Sequence, residues 1–236
     1  MTSTRPPRLY FSFRSPYSWM GLEKLRRSLP GLFSAVELIP YWDPDEVTAR
    51  LVAERDAQFH YQQMSKAKHL YVLADTKRMA ARLGLTMAWP VDVDPWWEVP
   101  HLAWLAARRA GAAERCYDAL VAARWQRGEN ICDPEVLRRA AGAAGLDGTA
   151  LAAAPQAGAI RAEGAQCLVR AYEEDIFGVP YACYRRQRYW GLDRMDIFLE
   201  DLRSSGPPDD LADDLAGIPA GIAAGSYDRD TAGGCG

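Results

Sequence analysis

Ser15, Pro16, Tyr17 and Ser18 stand where an alternating apolar strand runs into a Leu-studded helix, in the stretch FSFRSPYSWMGLEKL from Phe11 to Leu25. A strand-to-helix corner of this kind suits reactive chemistry, because the first turn of a helix presents unpaired N–H groups and the positive end of its dipole. A redox protein places Cys-x-x-Cys there, whereas this chain places serine. Its five cysteines (Cys116, Cys132, Cys167, Cys183 and Cys235) form neither a C-x-x-C pair nor a metal-ligand spacing. They read as reduced thiols, mostly buried as small hydrophobes. His60, His69 and His101 are too scattered for a zinc site. With no dithiol and no metal expected, Ser15 is either a plain helix cap or a hydroxyl that acts on something brought to the corner. Ser18 reads as a backbone-bonding helix residue.

The elements that hold this corner follow from periodicity. A strand is expected over Arg8–Phe13, with Leu9, Phe11 and Phe13 on one side and Tyr10, Ser12 and Arg14 on the other. Ser15 then caps a helix with Pro16 in its first turn, where a missing N–H costs nothing. Trp19, Leu22, Leu25 and Leu29 share a face, and Pro30-Gly31 stops the run. A second strand over Ala35–Trp42 completes a β-α-β opening. From Asp43 to about Gly164 the chain is Ala-rich, and helices are expected over Asp45–Phe59, Lys66–Leu83, Pro100–Ala110, Ala113–Arg127, Pro134–Ala144 and Gly148–Ala154. Another follows over Ala157–Tyr172. Then come strands Tyr181–Tyr184 and Arg188–Trp190 and a helix Asp193–Leu202, burying Met195, Phe198, Leu199 and Leu202. Beyond Ser204, Gly, Pro and Asp dominate, and a mostly disordered tail is expected over 204–236. This order is an α/β, thioredoxin-like fold: residues 1–42 and 165–203 form a discontinuous sheet domain, and 43–164 form a large all-helical insertion.

The composition narrows the partners. A net charge of -3 over 236 residues supplies no basic field for nucleic acid or an anionic membrane. No apolar run nears the ~20 residues that cross a bilayer. The N-terminal MTSTRPPRLYFSF lacks the apolar core of a signal peptide, so the protein is expected in the cytoplasm.

Four short motifs in order then carry a family resemblance. SPYSWMGLEKL resembles the catalytic corner of kappa-class glutathione transferases and of 2-hydroxychromene-2-carboxylate isomerases. KHLYVLADTKRMAARLGL is similar to that family's Lys-x-x-Tyr-x-x-x-Asp segment, and NICDPEVL to its acidic-Pro helix start. FGVPYACY and YWGLDRMDIFLEDL match its Gly-Val-Pro and Gly-x-Asp-Arg signatures. Together they cover residues 8 to 203. The resemblance implies that glutathione, or another low-molecular-weight thiol, brings its own thiol to the helix N-terminus. Ser15 is then the hydroxyl donor that favours thiolate. By the same resemblance Val179 and Pro180 form a cis-proline loop that pairs with a peptide-like ligand, and Lys68 meets its glycyl end. Asp193, flanked by Leu192 and Arg194, meets the γ-glutamyl end. Two departures bear on this cofactor. Leu192 replaces a small polar residue, and AQFHYQQMS stands where the family carries Asn-x-Pro-Pro.

On the substrate side, Tyr17, Trp42 and Trp97 are the candidates, with Trp89 and Trp96 close in sequence. Indole walls suit a flat conjugated ligand, although ordinary packing between the two lobes is the favoured reading of them. His101, at a helix start, reads as solvent-facing, with an acid–base role as the alternative. The resemblance implies an isomerase of conjugated aromatic or polyene compounds, in which a thiolate adds, a bond rotates and elimination restores the double bond. A kappa-like transferase or peroxidase, or a non-catalytic thioredoxin-like binding protein, is the alternative. A protein disulfide oxidoreductase is excluded, since no cysteine stands near Ser15. The expected partners are a small conjugated substrate and a second copy of the chain, as a homodimer, and no metal, nucleic acid or membrane.

Overall fold

A computed structural model describes residues 5–60 and 64–204. Four strands, β1 (Arg8–Phe11), β2 (Glu37–Pro40), β3 (Tyr181–Tyr184) and β4 (Gln187–Trp190), form one sheet in the order β2-β1-β3-β4. β1 runs parallel to β2, with Leu9 opposite Leu38, and antiparallel to β3, with Leu9 opposite Ala182. The central pair therefore joins the two ends of the chain, and helices occupy the length between them.

The opening turns as its residues dictate. Helix α1 (Pro16–Ser28) starts on Ser15, whose side chain accepts the Ser18 N–H, and ends with Arg26 and Arg27 against the negative pole. A short helix, α2 (Leu32–Ala35), follows Pro30-Gly31 and delays β2 by two residues. The helical stretch comprises α3 (Glu46–Ala53), α4 (Lys66–Arg82), α5 (Glu98–Arg109), α6 (Ala113–Val121), α7 (Pro134–Ala143), α8 (Gly148–Ala152) and α9 (Gly158–Glu173). α7 begins as its Asp-Pro-Glu start requires, with Asp133 accepting the Glu135 N–H. The chain closes with α10 (Met195–Arg203).

Three expectations are corrected. β1 does not alternate: Arg8, Leu9, Tyr10 and Phe11 are all buried, as suits a strand covered on both faces. Arg8 is tolerated there because its Nε donates to the buried Glu174 at 3.1 Å. The helix expected over Ala113–Arg127 stops at Val121 and becomes a five-residue π turn, Ala122–Gln126. The last helix does not open at Asp193, since a 3-10 turn, Leu192–Arg194, precedes α10. The tail expected to be disordered lies, after Ser204, outside the described residues.

Candidate active site

Ser15 sits at the C-terminal end of β1, where α1 begins. Its hydroxyl accepts the Ser18 N–H at 3.1 Å and donates to the Val179 carbonyl at 3.3 Å. The second distance is long for an O–H···O bond. The proton on Ser15 is therefore loosely held and can be turned to a stronger acceptor. The Val179–Pro180 peptide is cis. α1 lies close against this loop because residue 21 is glycine: a Cβ there would stand 3.2 Å from Pro180 Cγ. The Gly191 N–H donates to the Pro180 carbonyl at 2.9 Å from the other side. Ser15, Val179 and Pro180 are thus brought together from opposite ends of the sequence.

The remaining residues of the predicted site divide into exposed and buried sets. Lys68 lies in the first turn of α4 and is exposed. Seven residues on, Asp75 accepts the Tyr17 hydroxyl at 2.7 Å, which fixes α4 to α1 about 10 Å along the helix from Lys68. Tyr17 is half-buried, and burial followed by the Asp75 bond raises its pKa. Its hydroxyl is committed to holding α4 rather than turned to a substrate. Asp193 and Arg194 are exposed, in a loose mutual ion pair at 4.0 Å, and Leu192 between them and the sheet is buried.

Trp42 and Trp97, the expected substrate wall, are 2% and 4% exposed. Trp42 stacks on His101, with centroids 5.1 Å apart and planes 11° from parallel, and its rim meets Gly164 of α9. It is a packing residue between lobes. Trp97 turns one face toward Arg14, whose guanidinium carbon lies 5.9 Å from the ring centroid. With Arg14, Trp96 and Glu98 it lines a pocket of about 310 Å³, which Arg14 joins from the turn before Ser15 and which Ser15 itself does not line. Asp43 and Asp45 close its other side. Asp45 is bound by Arg161 at 2.8 Å and by the Trp96 indole at 3.0 Å. Partial burial favours its neutral form, but the Thr48 N–H, Trp96 and Arg161 together hold its pKa down. Glu98 is buried, and that burial raises its pKa although it accepts the Asp45 N–H.

His101 overturns the solvent-facing expectation, since it is fully buried. Its Nδ1 lies 2.7 Å from the Trp97 carbonyl. Its Nε2 lies 3.2 Å from both the Phe13 N–H and the Ser12 hydroxyl. A ring that donates through Nδ1 and accepts at Nε2 is neutral. Burial first, then the Arg124 charge, press its pKa down to about 3. The signal was present in the sequence: Trp97, His101 and Leu105 recur at helical spacing in a stretch that is otherwise almost wholly apolar.

Arg124 also escaped the sequence reading. It comes from the π turn, is 2% exposed, and makes a two-pronged bond to Asp92 with both distances 2.8 Å. Its guanidinium lies between the indoles of Trp97, 4.9 Å, and Trp125, 4.8 Å, and Trp125 stacks on Trp19 of α1. Nothing in the run Ala-Ala-Arg-Trp-Gln distinguishes it from a surface arginine. The four described cysteines are buried, and burial pushes the Cys116 thiol up to about 12 and the Cys167 thiol up to about 11.

A four-stranded sheet in this order, a cis-proline loop opposite a helix N-terminus, and a helical insertion define a thioredoxin-like fold of the DsbA type. The chain belongs to the DSBA-like thioredoxin domain family, whose model matches residues 8–203. Over 193 residues it is 29% identical to a 2-hydroxychromene-2-carboxylate isomerase of Sphingobium xenophagum, covering 81% of this chain and 94% of that protein. Among solved structures it resembles a 2-hydroxychromene-2-carboxylate isomerase with a TM-score of 0.66 at 18% identity, covering 85% of this chain and 96% of the other. A probable DsbA oxidoreductase from Streptomyces coelicolor follows at 0.61 and 20%, with 89% and 94% covered. At such identities the two structures speak for the fold alone. No described helix is long and apolar enough to cross a membrane.

Proposed function

We propose that the protein is a thiol-dependent isomerase of small conjugated compounds, with glutathione or another low-molecular-weight thiol as its cofactor. The observation that carries this reading is Ser15 itself. It is a hydroxyl at the N-terminus of a 13-residue helix, weakly bonded to the Val179 carbonyl, in a corner whose described cysteines are all buried elsewhere. Likeness to the Sphingobium xenophagum isomerase over most of both chains supports the reaction class.

The residues present suit a peptide-like thiol. Ser15 would hold it by donating its proton, with the α1 dipole adding to the preference for the charged form. The Val179 backbone would pair with the peptide part. Lys68 and Asp193, exposed and of opposite sign, would take its carboxylate and its ammonium. When bound, such a thiol supplies the nucleophile that lets a conjugated double bond rotate with no net redox change. Trp96, half-buried at the pocket that Arg14 also lines, is the indole left for a flat substrate, Trp97 being buried, and Glu98 is a carboxyl whose raised pKa suits it to hold a proton in the same pocket. Trp42 and Tyr17 are left out of the substrate wall, being engaged with His101 and Asp75. The family resemblance carries a cytoplasmic homodimer with this function.

Calorimetry with glutathione, alongside thiolate absorbance near 240 nm, tests the reading on wild type and Ser15→Ala. Binding with a depressed thiol pKa, weakened roughly ten- to a hundredfold and with its pKa restored in Ser15→Ala, is the expected result, since a charge-assisted bond contributes roughly 1.5–3 kcal/mol. Absence of binding at millimolar glutathione would remove that cofactor.

A further inference from the structure

The backbone around Ser15 is locked by a closed set of hydrogen bonds. The Ser15 N–H donates to the Ser12 carbonyl at 3.1 Å, and the Ser12 N–H donates to the Ser18 hydroxyl at 3.2 Å. The Arg14 N–H donates to the Ser12 hydroxyl at 3.3 Å. Past Phe11, where β1 ends, the Phe13 N–H has no strand to bond to, and it is met by His101 Nε2 at 3.2 Å. His101 is thus the one side chain from the helical insertion in this set, and it reaches the backbone two residues before Ser15. It cannot shift, because Trp42 stacks on its ring, Phe13 lies against it with centroids 5.3 Å apart, and Nδ1 is held by the Trp97 carbonyl. That same Trp97 lines the pocket to which Arg14, the residue before Ser15, contributes.

We propose that His101 is a positioning residue for the Ser15 corner. By accepting the Phe13 N–H and donating to the Trp97 carbonyl, it fixes the distance between the start of α1 and the wall of the substrate pocket. The inference rests on Ser15 being the residue that acts on a thiol. His101 touches no reacting atom; it ties the backbone two residues before Ser15 to the Trp97 backbone, at the edge of the pocket that Trp96 and Glu98 line. Without an acceptor at this place the Phe13 N–H is buried and unpaired, and the corner must move to satisfy it.

A thiol placed in the corner reports this directly, with no cofactor needed. Ser15→Cys in a Cys235→Ser background carries one accessible thiol, since the four described cysteines are buried. Its titration at 240 nm should fall below the ordinary ~8.5 for a helix N-terminus. Adding His101→Phe, which keeps the ring but loses the acceptor, should raise that value by about a unit. His101→Gln, whose amide can accept the Phe13 N–H and donate to the Trp97 carbonyl, should restore it. Ser12→Ala, which removes the second contact to Nε2 and also the acceptor of the Arg14 N–H, should raise it as well, and the rise counts for His101 only if Ser12→Ala adds less in the His101→Gln background than in wild type. An unshifted titration in both Ser12→Ala and a folded His101→Phe overturns the proposal, as does an equal rise in the Phe and Gln variants. No rise in Ser12→Ala with His101→Phe unfolded overturns it too, leaving His101 a core residue only. Glutathione failing to bind wild type would remove the proposed cofactor while this titration still decides the role of His101.

Discussion

The two sides of the Ser15 corner are built in opposite ways. On the inner side, toward the helical insertion, Trp42, Trp97, His101, Arg124 and Trp125 are all at most 4% exposed, and each packs on another of the set. On the outer side the Ser15–Val179 bond is long, and Asp193 and Arg194, next to the Gly191 that bonds the Pro180 carbonyl, are exposed, as is Lys68 in the first turn of α4. The difference separates two tasks. Polar groups on the inner side are desolvated and must be paired, so their value lies in stability and placement. Those on the outer side keep their hydration and can exchange it for a ligand. Substitutions inside should therefore lower stability, and substitutions outside should lower binding while leaving the fold untouched.

Arg124→Ala is the strongest way to break the inner side. It leaves Asp92 without its two-pronged partner and opens the gap between Trp97 and Trp125. Arg124 is buried but Asp92 is exposed and stays hydrated when left alone, so the loss is that of a charged hydrogen bond and of packing, about 1.5–3 kcal/mol. Urea unfolding should show the free energy in water lowered by that amount, through a lower midpoint at unchanged slope. A loss under 1 kcal/mol would mean that the inner side is far less tightly determined than its packing implies.

His101 gives the next largest effect, one that depends on pH. Its folded pKa, pressed to about 3, lies below the ordinary value of 6.5, so the unfolded chain binds the proton first. The sign follows: the stability due to neutral His101 is fully present above pH 6.5 and is lost progressively as pH falls toward 3. At pH 5 the loss is about 2 kcal/mol relative to pH 7. His101→Gln does not titrate. The difference in unfolding free energy between wild type and this variant should therefore shrink by that amount between pH 7 and pH 5, with carboxylates common to both cancelling. An unchanged difference would place a protonatable or wetted imidazole where the structure has a dry one.

Much of this arrangement was legible in the sequence, and the misses share a cause. Asp133-Pro134-Glu135 started α7 because a cap, a proline and an acidic first turn are local signals. Tyr181–Tyr184 was legible as a strand because β-branching was not required where aromatic residues and a short turn framed it. The pairing of Ser15 with Val179 and Pro180 was reached only through the resemblance, since they are 164 residues apart in sequence. His101 was misjudged although its spacing with Trp97 and Leu105 marked a buried face, and its stacking on Trp42 from the other lobe leaves no local mark. The π turn that aims Arg124 inward replaces one register of helix by another, which an Ala-rich pattern cannot announce. Local chemistry thus revealed the elements, the outer side came from the resemblance, and the inner side depended on contacts made across the fold.

Lys68→Ala and Asp193→Asn complete the comparison with the smallest expected effect on the fold. Both side chains are exposed, and substitutions of exposed residues fall within about 0.5 kcal/mol in stability. Thermal melting should leave both variants within a degree or two of wild type. Glutathione titrated into the same samples should bind several-fold more weakly in each, because a solvated carboxylate–ammonium contact contributes up to about 1 kcal/mol. The double variant should show the two losses added, since the residues meet opposite ends of one ligand and share no partner. Weakened binding with a lowered melting point would contradict the division, because a residue that serves the ligand would then also serve the core. Unchanged binding in both variants would confine the outer site to Ser15 and the cis-proline loop, and would point to a thiol smaller than a tripeptide.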